Sequence, residues 1–360
     1  PDSNYNGTDT LDFVVTDSNG GNTMASRDVN ITAVNDAPIA TYATAQATSE
    51  GSVKLIGQLT ATDVDANESL TYSLDSAVLK DADENLVLDA EGINNFVVQG
   101  LSINSDGSWS FDPSVDAYNA LTKGEEQTIT VDYIVTDGSD ATGTGSFEIT
   151  LTGTNDAPVA TFAAAQQAIE DGTQLAGQLT ATDEDAGETF SYQLLGAEIP
   201  GLTINSDGSW TFDPTNNAYQ SLAADDTQTI TVQYGVTDSK GAFATNSFAI
   251  TLTGTNDKPV ANAAALVLPS IQEDTTLNIS AAQLLAGITD IDGDDLAIVA
   301  DSITITTGVG QVDVTGNSDD GWTFSPKANY NGEISFSYSV SDGTTGDEVP
   351  STATFQVLSV

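Results

Sequence analysis

Thr128-Ile129-Thr130-Val131-Asp132-Tyr133-Ile134-Val135-Thr136-Asp137-Gly138 decides the fold. Ile129, Val131, Tyr133 and Val135 fall on one face, with Thr128, Thr130, Asp132 and Ile134 on the other. A two-residue period built from β-branched and aromatic side chains predicts a half-buried antiparallel strand. The pattern returns as Ile230, Val232, Tyr234, Val236 and again as Ile334, Phe336, Tyr338, Val340. A second alternating strand follows each, carrying Phe147, Ile149 and Leu151, then Phe248, Ile250 and Leu252, then Phe355 and Val357. Ser-Asp-Gly-Ser before Trp109 and before Trp210 is a hairpin turn, because Gly tolerates positive φ. No segment shows a long 3.6-residue period; 117–123, 217–223 and 281–287 have room for one or two helical turns each. Modules of about 100 residues with about seven short strands predict immunoglobulin-type β-sandwiches, with Trp109, Trp210 and Trp322 in their cores.

The modules declare themselves by repetition. Asn35-Asp36-Ala37-Pro38 returns as Asn155-Asp156-Ala157-Pro158 and Asn256-Asp257-Lys258-Pro259, steps of 120 and 101 residues. Gly57-Gln58-Leu59-Thr60-Ala61-Thr62-Asp63 matches Gly177-Gln178-Leu179-Thr180-Ala181-Thr182-Asp183. Trp109 lies 37 residues after Tyr72, but Trp210 only 18 after Tyr192. One insertion near 77–99 therefore accounts for the longer first step, as expected of a hairpin or loop outside the core. The expected domains are 35–154, 155–255 and a divergent 256–360. Asn329-Tyr330-Asn331-Gly332 of the last module recurs as Asn4-Tyr5-Asn6-Gly7. Residues 1–34 thus resemble the tail of an incomplete module of the last type, with three hairpin-like strands, and the chain is expected to be a piece of something longer.

Composition narrows the chemistry. The 360 residues include 7 Lys+Arg, 53 Asp+Glu, no His and no Cys, for a formal net charge of −46. Without Cys or His there are no disulfides, thiolate nucleophiles, imidazole metal sites or Ser-His-Asp triads. The charge opposes binding to nucleic acid or to an anionic membrane surface. No apolar run approaches the roughly 18 residues of a membrane helix. At 39% hydrophobic, with acids placed between apolar segments rather than in blocks, the chain is expected to fold. Oxygen ligands remain, and these suit hard cations, above all Ca²⁺.

The acids recur in sets around the linkers. Each set is expected to combine an Asp closing the penultimate strand of the preceding module (Asp17, Asp137, Asp238) with a linker pair (Asn35 and Asp36, Asn155 and Asp156, Asn256 and Asp257). An acid early in the following module (Glu50, Glu170, Glu273) and an Asp-x-Asp pair (Asp63 and Asp65, Asp183 and Asp185, Asp290 and Asp292) complete it. Asp294 is a candidate extra ligand in the last set. Loops at one end of a sandwich converge, so these like charges would repel strongly. With 7 basic residues in the chain, no salt-bridge partner is expected for them. About two or three Ca²⁺ per junction, each taking six to eight oxygens, would resolve the conflict. The alternative is a set of plain turns and solvated loops. Asp81-Ala82-Asp83-Glu84-Asn85 opens like an EF-hand loop but has Leu86 where Gly belongs and Gly92 where the closing acid belongs. Asp319-Asp320-Gly321 is expected to be a turn, and the nonapeptide repeat of calcium β-rolls is absent.

Several motifs together carry a family resemblance: Asn-Ser-Asp-Gly-Ser-Trp-x-Phe-Asp-Pro, Ala-Tyr-x-x-Leu at 117–121 and 218–222, and Leu-Thr-Gly-Thr-Asn-Asp-x-Pro. Modules 35–154 and 155–255 resemble VCBS repeats, and 256–360 resembles bacterial cadherin-like tandem repeats. Such arrays are similar to the extender regions of RTX-type adhesins exported by type I secretion. The resemblance implies tandem immunoglobulin/cadherin-like β-sandwiches in a linear array, with Ca²⁺ at the junctions stiffening a monomeric rod. It implies a non-enzymatic stalk at the surface of a Gram-negative bacterium, serving adhesion and biofilm formation. Its partners would be the neighbouring modules and an unidentified distal ligand, without membrane insertion. The alternatives are a glycan- or protein-binding module, for which Phe96 is the one aromatic in the insertion, and accessory repeats of a secreted enzyme.

Overall fold

A computed structural model describes residues 2, 4–65, 69–87 and 98–360. Phe96 and Gly92 of the insertion lie outside the described residues. The chain forms two compact units, one of Pro1–Pro158, Asp183–Thr189 and Asp238–Ala242, the other of Val159–Thr182, Phe190–Thr237 and Phe243–Val360.

The first unit contains a complete sandwich. One sheet has the order Gln46–Ser49, Thr142–Thr152, Glu126–Thr136, Thr71–Asp81. The facing sheet has the order Leu55–Gln58, Ser108–Phe111, Leu101–Ile103. Gln46–Ser49 runs parallel to Thr142–Thr152, whereas the other pairings in this sandwich are antiparallel. Ile129, Val131, Tyr133, Ile149 and Leu151 are fully buried, and Trp109 and Phe111 meet them from the opposite sheet. The alternation in the sequence is therefore the alternation of core and surface. Gly57 lets the Trp109 indole lie flat on its strand, since a Cβ there would come 2.4 Å from Nε1.

The insertion lengthens a strand. Thr71–Asp81 has 11 residues against 4 in its counterpart Ser191–Leu194, and Asp81 turns back through Asn85 so that Lys80 bridges to Leu86. The described residues before 35 form two strands, Gly7–Thr16 and Asn22–Ile31, rather than three. The Asn4-Tyr5-Asn6 segment is a turn leading into the hairpin, closed by the Tyr5 amide on the Asp2 carbonyl. Leu11, Phe13 and Val15 line one face of this hairpin, exposed to solvent.

The second unit repeats the scheme twice. Gln166–Ile169, Phe243–Thr253, Thr227–Thr237 and Ser191–Leu194 face Leu175–Gln178, Ser209–Phe212 and Leu202–Ile204 around Trp210, Phe212 and Tyr234. The last sandwich builds one sheet on Val349–Leu358 and Gly332–Ser341 and the other on Leu277–Ile279, Gly321–Pro326 and Val312–Asn317, around Trp322 and Phe324. A four-residue helix, Ala281–Leu284, is capped reciprocally by Ser280 and Gln283. Residues 117–123 and 217–223 make turns instead of helix, pinned by buried Tyr118 and Tyr219, whose hydroxyls donate to the Gln99 and Pro200 carbonyls. No helix among the described residues is long and apolar enough to cross a membrane.

Candidate metal centre

The three linkers are folded alike. At 155, the Asn155 amide Nδ2 donates to Asp238 Oδ2 at 2.8 Å and to the Asp156 carbonyl at 2.7 Å. The Asp156 amide donates to Asp185 Oδ2 at 2.8 Å, and the Asp185 amide to Asp183 Oδ1 at 3.0 Å. Glu50 closes the set, its Oε2 accepting from the Thr154 amide at 3.1 Å. Glu50, Asp185 and Asp238 are buried.

At 256, Asn256 Nδ2 donates to Asp342 Oδ2 at 3.0 Å and to Asp347 Oδ2 at 3.4 Å. The Asp257 amide donates to Asp292 Oδ2, the Asp292 amide to Asp290 Oδ1, and the Thr255 amide to Glu170 Oε2. One carboxylate oxygen from each of Asp290, Asp292 and Asp294 lies within 4.8 Å of the others. At 35, Asn35 Nδ2 donates to Asp137 Oδ2, the Asp36 amide to Asp65 Oδ2 and the Asp65 amide to Asp63 Oδ1.

Several of these carboxylates use one oxygen in such a bond and leave the other buried without a partner. Glu50 Oε1, Asn155 Oδ1, Asp183 Oδ2 and Asp185 Oδ1 are buried and unbonded at the 155 linker. Asp257 Oδ2, Asp290 Oδ2 and Asp292 Oδ1 are so at 256, and Asp63 Oδ2 at 35. An unpaired buried anion is costly. Burial first, and then the charges of Asp156, Asp185 and Glu184, push Glu50 up to about 7 against one stabilising amide from Thr154. Burial raises Asp156, helped by Asp185, Glu184 and Asp183. Burial likewise raises Asp183, Glu170 and Asp257, with neighbouring acids adding to it. The Asn35 amide holds Asp137 below the usual range against burial, with help from the Ala141 and Ser139 amides. For Asp238 burial acts upward, but Asn155 and the Ala242, Lys240 and Gly241 amides outweigh it and leave it lowered. Among the described residues, the carboxylates of Asp290, Asp292 and Asp294 at 256 are the group whose oxygens gather this closely, and such all-oxygen donors suit a hard divalent cation.

The grouping differs from the expected one. Glu50 joins the linker at 155, not at 35, and Glu170 joins 256, not 155. Asp137 belongs with Asn35 and Asp238 with Asn155, each one linker earlier than expected. Strand direction is the reason. Gln46–Ser49 runs parallel to Thr142–Thr152, and the Glu50 amide bonds the Thr152 carbonyl, so Glu50 is carried to the end where the chain leaves for the next module. Asp137 sits at the opposite end, in the turn between Glu126–Thr136 and Thr142–Thr152. Two expected residues lie apart from these sets. Asp17 accepts from the Asn19 and Gly21 amides in its own turn, and Glu273 accepts from the Val360 amide. Asp342 and Asp347 were missed, although Val340-Ser341-Asp342-Gly343 echoes Val135-Thr136-Asp137-Gly138.

Among the described residues the acids of the expected sets have no salt-bridge partner, but two lysines pair with acids beside them. Lys258 Nζ lies 2.9 Å from Asp347 Oδ1, and Lys240 Nζ lies 3.7 Å from Glu188 Oε1. Each reaches an acid beside the linker set through a loop that sequence distance conceals. Asp81 serves its own turn, accepting from the Asp83 and Asn85 amides.

Three family models match successive stretches: a bacterial Ig domain over 35–150, a bacterial cadherin-like domain over 155–254 and a cadherin-like domain over 255–358. Residues 35–358 are thus covered by a succession of immunoglobulin- and cadherin-like domain models. These are non-catalytic domain types. Among solved structures, the protocadherin gamma B2 extracellular cadherin domains 1–5 align at 15% identity and TM-score 0.56, over 98% of this chain and 65% of that one. The protocadherin gammaB4 extracellular domain aligns at 15% and 0.54, over 98% and 54%. Mouse cadherin-23 domains EC22–24 align at 16% and 0.50, over 91% and 99%. The chain thus spans about two thirds or less of the first two. At these identities the likeness speaks to the fold alone. A search of curated proteins found no match.

Proposed function

We propose that this chain is a calcium-rigidified stalk segment of a large bacterial surface adhesin, of the VCBS and RTX type exported by type I secretion. The observation that carries the reading is the burial of unbonded carboxylate oxygens at every linker. A bound Ca²⁺ would supply the positive charge that lets these groups remain ionised and close together. At the 155 linker the ligands would be Glu50, Asp156, Asp183, Asp185 and Asp238, with the Asn155 side-chain oxygen. At 256 they would be Glu170, Asp257, Asp290, Asp292 and Asp342, with Asp294 added. At 35 they would be Asp36, Asp63, Asp65 and Asp137.

The chain's own residues supply the pre-organisation. Each Asn holds the strand-turn Asp, each linker amide holds the second Asp of Asp-x-Asp, and each Glu is held by the Thr amide before the linker. The set draws on residues before and after the linker, so filling it would couple successive modules. The stalk would stand outside a Gram-negative cell and present a distal adhesive domain. Calcium titration by calorimetry tests this, with about two or three ions expected per complete linker. Small-angle scattering should show a maximum dimension that falls when chelator is added. Zero stoichiometry, or an unchanged dimension, would overturn it.

A further inference from the structure

The residue between the two aspartates of Asp-x-Asp differs at every linker: Val64, Glu184, Ile291. Glu184 has a partner in the module before it. Asn119 Nδ2 donates to Glu184 Oε2 at 2.6 Å, and the Ala186 amide donates to the Ala120 carbonyl at 3.4 Å. Asn119 is presented rigidly. It stands next to Tyr118, which is buried and bonded through its hydroxyl to the Gln99 carbonyl, and Leu121 two residues on is buried as well. These bonds join the 117–121 turn of module 35–154 directly to the loop carrying Asp183 and Asp185.

The linker at 256 lacks this device. Gln220 occupies the place of Asn119, on a turn pinned in the same way by Tyr219. It folds back on its own module, donating to Glu170 Oε1 at 3.3 Å and Asp171 Oδ1 at 3.1 Å. Ile291 stands where Glu184 stands and offers no acceptor; it is half exposed. Among the described residues, no hydrogen bond joins 155–255 to 256–360.

We infer that Asn119 and Glu184 form a metal-independent latch, so that the linker at 155 stays docked when calcium is low while the linker at 256 is released. Asn119 and Glu184 act as positioning residues. They touch no proposed ligand oxygen, but they hold the loop that presents Asp183 and Asp185. The consequence is a stalk with unequal joints, one of which yields first. The inference does not depend on the calcium reading, because the bonds are made by protein groups alone.

Hydrogen exchange on the full chain in chelator tests it. The segment 183–189 should exchange about fivefold more slowly than 290–296, a difference of about 1 kcal/mol in docked population. Asn119→Ala and, separately, Glu184→Ile should abolish the difference while the amides of Glu126–Thr136 keep their protection, which shows that the fold is intact. Gln220→Asn combined with Ile291→Glu should slow exchange of 290–296. Equal exchange of the two segments in the parent chain, or no response of 183–189 to either single substitution, would overturn the latch. Calcium should slow exchange at both linkers; if it slows neither, the calcium reading fails and the latch is judged on the chelator data alone.

Discussion

Glu50 concentrates the electrostatic problem of these linkers in one side chain. It is 5% exposed, one of its oxygens has a single amide partner, and the other has none. Its value rises from 4.5 to about 7, chiefly through burial. Between those two pH values the folded, metal-free protein binds more protons than the unfolded chain, so it loses stability as pH rises through that window. Glu50→Gln should therefore raise the melting temperature of the chelated protein at pH 7.5 and have little effect at pH 4.5. The gain is on the order of 2 kcal/mol, discounted for solvent screening. On the calcium reading proposed above, the same substitution should lower the melting temperature when calcium is present, because a proposed ligand loses its charge. A chelated variant that melts like its parent at pH 7.5 would show that Glu50 is relaxed by water instead.

At the scale of elements, the sandwich depends on a close approach that the sequence marks only by a Gly. Gly57 and Gly177 lie under Trp109 and Trp210, and a Cβ at Gly177 would come 2.6 Å from the ring. Gly57→Ala or Gly177→Ala should force the indole out of place and cost about 2 kcal/mol, read as a lower urea midpoint. An unchanged midpoint would mean the indole can shift off the neighbouring strand of its own sheet without penalty. The strands themselves were legible because their period of two records which side chain meets the core. Residues 117–123 were not, because turns and short helices share the same residues and here the buried Tyr118 imposes turns. The hairpin at 7–31 was legible as strands but overcounted, since a two-residue spacing cannot tell a turn such as Asn4-Tyr5-Asn6 from a short extended segment.

Across the whole molecule the charge of −46 works against compactness wherever metal is absent. The Debye length falls from about 10 Å at 0.1 M salt to about 3 Å at 1 M. The chelated chain should therefore gain several degrees in melting temperature from NaCl over that range, and clearly more than the calcium-saturated chain. Equal gains would place the repulsion elsewhere than at the linkers. Lys258 already neutralises part of the 256 set through Asp347, so that linker carries its own cation beside the sites proposed for calcium.

The sequence by itself determined the tandem β-sandwich architecture, the core tryptophans and the acidic character of the linkers. These follow from local period and from repetition, which need no knowledge of what folds against what. Which acids share a linker was decided only in three dimensions. Gln46–Ser49 and Gln166–Ile169 lie parallel to the last strand of their modules, which carries Glu50 and Glu170 forward to the next linker. The turn holding Asp137 stays behind with Asn35. Spacing along the chain is blind to strand direction, and direction here settles at which end of a sandwich a carboxylate stands.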